Sequence, residues 1–196
     1  MPTISANDID ICYESFGPDD APPLLLVMGL GAQMTLWRPG FVSELLERGF
    51  RVIRFDNRDA GLSTKTDGPP PDVMAMYAAF AAGQPIEAPY TLSLLAADAV
   101  GLLDALDIPA AHNVGASMGG MIVQTIAIEH PDRVLSLTSI MSTTGHTEVG
   151  QPDAEAMMAL LSPAPEGRDA AIAASVNTSR IIAGDLYDPE ESRQLA

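Results

Sequence analysis

Leu24 to Met28 is an unbroken apolar run between Pro23 and Gly29, and it constrains the fold more than any other segment. A strand with one face in water alternates apolar and polar residues. A continuous run suits a strand buried on both faces, as in a parallel sheet covered by helices. Arg51 to Phe55, His112 to Ala116 and Val134 to Met141 read as further strands. Helical segments lie between them. Residues 38 to 48 place Phe41, Val42, Leu45 and Leu46 on one stripe, with Gly49 as the stop. Thr91 is a helix N-cap, and Leu92, Leu95, Ala96, Ala99, Leu102, Leu103 and Leu106 keep helical spacing to about Asp107. Residues 118 to 130 form another helix, followed by Pro131. Strands alternating with helices imply an α/β fold with a mostly parallel sheet between two helical layers.

The flanks are less regular. Residues 3 to 16 alternate loosely and read as one or two strands turning near Asn7-Asp8. Residues 59 to 90, with Pro69-Pro70-Pro71, read as loop-rich. From residue 147 onward, Gln151-Pro152, Pro163-Ala164-Pro165 and Pro189 punctuate short helical pieces, one of them Ala154 to Leu161, and no further strand follows. The expected division is 1–146 for the sheet-bearing part and 147–196 for a helical part.

Composition narrows the class of partner. Hydrophobic residues make up 47% of the chain, too many for a disordered segment. Ten Lys and Arg face 26 Asp and Glu, a net charge of −16 that repels phosphate backbones and anionic headgroups. Neither nucleic acid nor a membrane is an expected partner. The single cysteine, Cys12, excludes an intrachain disulfide. The start, Met1 to Asp10, has neither a basic nor an apolar region of a signal peptide, so a cytoplasmic location is expected. No metal-ligand cluster and no dinucleotide fingerprint is present, so no cofactor is expected.

Gly115-Ala116-Ser117-Met118-Gly119 carries the chemistry. About one chain in ten of this composition would hold G-x-S-x-G by accident. Here the motif closes a short strand and opens an apolar helix, the setting a nucleophile elbow requires. A serine hydroxyl is a weak nucleophile and must stand clear of the sheet to meet a base. A tight strand-to-helix turn exposes it, and small residues two before and two after let the backbones approach. A helix starting at Met118 aims its N–H groups at developing negative charge. Val27-Met28-Gly29-Leu30-Gly31 follows the first buried strand, where glycines free the backbone to turn close to a ligand. The N–H of Leu30 could pair with that of Met118 as an oxyanion hole.

Together these segments resemble a known superfamily. Leu25 to Gly31, Gly49 to Ser63, Asn113 to Gly120 and His130-Pro131-Asp132-Arg133-Val134 occur in the order typical of α/β-hydrolases. Phe55-Asp56-Asn57-Arg58-Asp59 is most similar to the branch holding anthracycline methyl-esterases and related carboxylesterases. The resemblance covers about residues 3 to 145. It implies that Ser117 is the nucleophile, that Leu30 and Met118 supply oxyanion N–H groups, and that Asp56 and Arg58 order the loop after the second buried strand. It further implies that residues 147–196 begin a helical cap. The implied reaction is hydrolysis of a small or medium carboxylic ester through an acyl-enzyme. Perhydrolase, C–C hydrolase and lactonase chemistry share the serine; a non-catalytic binding protein on the same scaffold and an inert fragment are the alternatives. Met28, Trp37 and Met157 are candidates to line an apolar substrate pocket; ordinary core is the alternative for each.

The resemblance also implies an acid and a histidine after the serine in chain order, and no residue here matches either. His112 precedes the elbow strand. His130 stands at the far end of the next helix, about 20 Å along its axis. His146, with Glu148 nearby, is the one histidine near the carboxyl ends of the strands, and a base needs hydrogen-bond reach. None of the three is expected to serve. The base is expected from a missing segment or a second chain, with Val134 to Met141 left as a bare sheet edge.

Overall fold

A computed structural model describes the chain apart from residues 69, 70, 87, 147, 151, 152, 164, 184, 186 and 191–196, and the side chains of residues 80 and 81. The described residues form two compact units: residues 1–69 with 89–150, and residues 70–88 with 151–196.

The first unit holds the strands β1 (Thr3–Ala6), β2 (Ile9–Phe16), β3 (Pro23–Val27), β4 (Arg51–Phe55), β5 (Ala111–Ala116) and β6 (Val134–Ile140). They pair in the order β1-β2-β4-β3-β5-β6. β1 and β2 are antiparallel to their neighbours; β4, β3, β5 and β6 run parallel. The sheet is thus mostly parallel, as expected, with one antiparallel hairpin at its side.

Side-chain alternation explains how β3 and β4 hold two cores. Leu25, Val27, Ile53 and Phe55 face one way and meet Leu95, Ala99, Leu102 and Leu103 of α3 (Leu92–Ala105). Ile122, Val123 and Ile126 of α4 (Met118–Glu129) complete that layer. Leu24, Leu26 and Val52 face the other way and meet Trp37 and Val42, the latter on α1 (Pro39–Glu47). Successive residues point to opposite faces, so an unbroken apolar run is what a sheet clad on both sides needs. Each such side chain contributes about 1.5–3 kcal/mol when fully buried. Thr91 caps α3 through a bond from the Leu94 N–H to its hydroxyl at 3.3 Å. Among the described residues β6 is an edge strand, and its Leu135, Leu137 and Ile140 are exposed.

The second unit holds α2 (Val73–Ala81), α5 (Ala154–Leu161) and α6 (Arg168–Ala183). α5 coincides with the expected piece, and Asp153 caps it by accepting from the Glu155 N–H at 2.8 Å. α6 packs on α5, with the Thr178 hydroxyl donating to the Ala159 carbonyl at 3.4 Å. Within the loop-rich residues 59 to 90, α2 forms after Asp72, whose carboxylate accepts from the Ala75 N–H at 2.9 Å. One expectation is corrected. α6, 16 residues long, is no short piece. The Gln151-Pro152 punctuation lies outside the described residues.

Candidate active site

Ser117 sits where β5 turns into α4, with φ 56° and ψ −123°. A non-glycine residue there costs about 1–3 kcal/mol and persists only where its surroundings hold it. They do so from several sides. The Ser117 N–H donates to the Ile140 carbonyl at 3.0 Å, extending the β5–β6 ladder, and the Gly120 N–H donates to the Ser117 carbonyl at 2.9 Å. A Cβ on Gly115 would stand 2.1 Å from the Gly119 oxygen. A Cβ on Gly119 would stand 2.2 Å from the Val27 oxygen. Strand, helix and the end of β3 therefore meet backbone to backbone, which only glycine allows. The serine itself stays half-buried at the mouth of this turn.

The loop after β3 comes up against it. A Cβ on Gly29 would lie 3.3 Å from Ser117 Oγ. Gly31, at φ +65°, turns the chain back, and the Ala32 N–H donates to the Gly29 carbonyl at 3.2 Å. Among the described residues the Leu30 N–H has no acceptor. Met118, first residue of α4, has by geometry no intrahelical acceptor for its own N–H.

Asp56 and Asn57, straight after β4, hold this loop. The buried Asp56 carboxylate accepts from the Met34 N–H at 2.8 Å and the Leu62 N–H at 2.9 Å. A Cβ on Gly61 would sit 1.9 Å from an Asp56 oxygen. The Asn57 side chain donates to the Met28 carbonyl at 2.9 Å. Arg58 makes two bonds to the Asp98 carboxylate, both 2.6 Å, and Asn7 donates to the same carboxylate at 2.7 Å. The hydrogen bond to Asp98 raises the Arg58 pKa further above its usual range. Burial, then the hydrogen bond to Asp59, pushes Tyr90 up to about 12. Burial opposes ionisation of Asp59, but hydrogen bonds from Thr66 and Tyr90 outweigh it and lower its pKa. Asp56 and Arg58 thus order the loop, the role implied by the resemblance.

Met28 and Trp37 are buried in one cluster with Leu26, Val42 and Ala116, the residue before Ser117. Met157 lies half-buried on α5 of the second unit. The histidines do not reach the serine. His112 bonds Ser136 at 2.8 Å, His146 accepts from the Glu148 N–H at 3.2 Å, and His130 ends α4. The Ser117 hydroxyl makes no capping bond to the helix it opens. The sequence does not foretell Gly29 against the hydroxyl or Asn57 on Met28.

A strained serine between a parallel strand and a helix, faced by a glycine loop, is an arrangement with known relatives. A family profile described as the alpha/beta hydrolase fold matches residues 22–196. The chain belongs to the α/β-hydrolase family. It is similar to the rhodomycin D methylesterase DnrP of Streptomyces peucetius, 35% identical over 143 residues, which are 72% of this chain and 42% of that protein. It is also similar to 3-oxoadipate enol-lactonase 2 of Acinetobacter baylyi, 30% identical over 67% of this chain and 41% of that protein. The chain thus spans less than half the length of these relatives. In fold it matches the meta-cleavage product hydrolase CumD of Pseudomonas fluorescens IP01 with a TM-score of 0.73 at 21% identity, over 99% of this chain and 61% of that structure. No helix among the described residues is long and apolar enough to cross a membrane.

Proposed function

We propose that Ser117 is the nucleophile of a serine hydrolase that cleaves a small or medium carboxylic ester. The observation that carries the reading is the strained Ser117 turn with Gly29 against its hydroxyl. Ser117 Oγ attacks the ester carbonyl, and the developing oxyanion rests on the Leu30 and Met118 N–H groups. A donor of this kind is worth about 3 kcal/mol of barrier. The acyl-enzyme forms, the alcohol leaves, and water releases the acid. The histidine and acid that activate the serine come from outside these 196 residues, in a further segment or a second chain. Residues 147–196 act as the start of a helical cap, Met28 and Trp37 back the acyl side of the site, and the reaction takes place in the cytoplasm. The methylesterase relative supports an ester as the substrate class, and the enol-lactonase relative keeps a lactone within it.

The alternative is a ligand-binding protein on this scaffold. A fluorophosphonate probe separates the two. The expected result is covalent labelling of the chain in its native assembly, lost in Ser117→Ala. No labelling there would leave the binding reading standing.

A further inference from the structure

Asn57 is a buried polar residue to which ester cleavage gives no direct part. Its amide meets the Met28 carbonyl at 2.9 Å. A carbonyl oxygen can only accept, so the NH2 end faces it and Oδ1 faces away. That Oδ1 is buried and has no hydrogen-bond partner among the described residues. Burying an amide with half its capacity unused disfavours folding, and an apolar side chain of the same size would fill the space without that penalty. Local rules broken in this way concentrate at functional sites.

The position of the bond supplies the reason. Met28 and Gly29 share a peptide plane, and Gly29 packs on Ser117. Holding the Met28 carbonyl fixes the rotation of that plane and the direction in which the chain enters Leu30. Asp56 holds the other end of the same loop at the Met34 N–H. Adjacent residues at the end of β4 therefore clamp residues 28 and 34, with Leu30 between them.

We propose that Asn57 is a positioning residue for the oxyanion loop, its amide holding the Met28 carbonyl so that the Leu30 N–H keeps its aim at the reacting oxygen. The proposal rests on Ser117 as the nucleophile. It implies that Asn57 acts on the transition state and leaves ground-state binding of substrate alone.

The test uses the full chain in its native assembly, with Asn57→Leu and Asn57→Asp compared in p-nitrophenyl acetate hydrolysis and fluorophosphonate labelling. Asn57→Leu keeps the branching and the number of heavy atoms and removes the donor. Its kcat and labelling rate should fall between about tenfold and a hundredfold, the cost of a small misplacement. KM should stay within about twofold. Asn57→Asp can donate only when protonated. Its rate relative to the parent should rise as pH falls, while the ratio for Asn57→Leu stays flat. Hydrogen exchange should quicken at residues 29–31 in Asn57→Leu with β3 unchanged, a readout independent of turnover. Variants that label as fast as the parent, whatever their thermal stability, overturn the proposal alone. A parent that does not label at Ser117 overturns it together with the esterase reading.

Discussion

Asp98→Ala isolates the interaction that ties the site's supporting loop to the sheet's helical layer. Asp98 lies on α3 and Arg58 on the loop after β4, with side chains 2% and 9% exposed. Two bonds of 2.6 Å join them, and Asn7 adds a third to the carboxylate at 2.7 Å. Removing the carboxylate leaves the Arg58 guanidinium buried without its hydrogen-bonded ion-pair partner, with the Tyr90 ring 5.5 Å away. Breaking a buried pair from one side costs about 3–5 kcal/mol. The double variant Arg58→Met with Asp98→Leu removes both charges and should recover all but about 1 kcal/mol, since well-packed apolar residues often replace such pairs without loss. Trp37 is the only tryptophan and lies in the first unit, so its emission follows that unit's unfolding in urea. With a slope of about 2 kcal/mol/M, the single variant should lower the midpoint by about 1.5–2.5 M. A shift below about 0.5 M, or a double variant no better than the single one, would refute the assignment of Asp98 as the counter-charge on which this loop depends.

Gly119→Ala places a methyl 2.2 Å from the Val27 oxygen and 2.8 Å from the Met28 oxygen, so α4 must lift off β3. Overpacking of this kind costs about 1–3 kcal/mol or more, read as a lower urea midpoint, and the displaced elbow should lose fluorophosphonate labelling. Tyr90 titrates near about 12 in the folded chain against 10.0 for a free phenol. Folding therefore favours the neutral ring, and that share of stability is full below pH 10 and lost between about 10 and about 12. A phenolate absorbance titration should show a late step that Tyr90→Phe removes.

The sheet was legible because its signal is physical and local. A strand clad on both faces must be apolar at every position, and Leu24 to Met28 could satisfy little else. α1 and α3 announced themselves through a stripe and a cap. α2 did not, because Val73 to Ala81 is apolar on nearly every side and shows no stripe; the capping Asp72 was the remaining clue. α6 mixes Ala171, Ala173 and Ala174 with Ser175, Asn177 and Thr178, so its helicity rests on alanine propensity and not on a readable face. At the site, the serine and its glycines were legible because chemistry fixes their spacing. The clamp was not, because Asn57 and Met28 are 29 positions apart and only the parallel pairing of β3 with β4 brings them together.

On the proposal that Ser117 is a nucleophile, its backbone angle also decides which other residues could take its place. At φ 56° a second heavy atom on Cβ crowds the chain, and β-branched residues are genuine outliers in that region. Threonine carries the same hydroxyl but also the branch, so it is barred from the turn by shape despite its suitable chemistry. Cysteine is unbranched and fits the same angle. The fold therefore leaves a route from oxygen to sulfur nucleophiles open, and closes the one from a primary to a secondary alcohol.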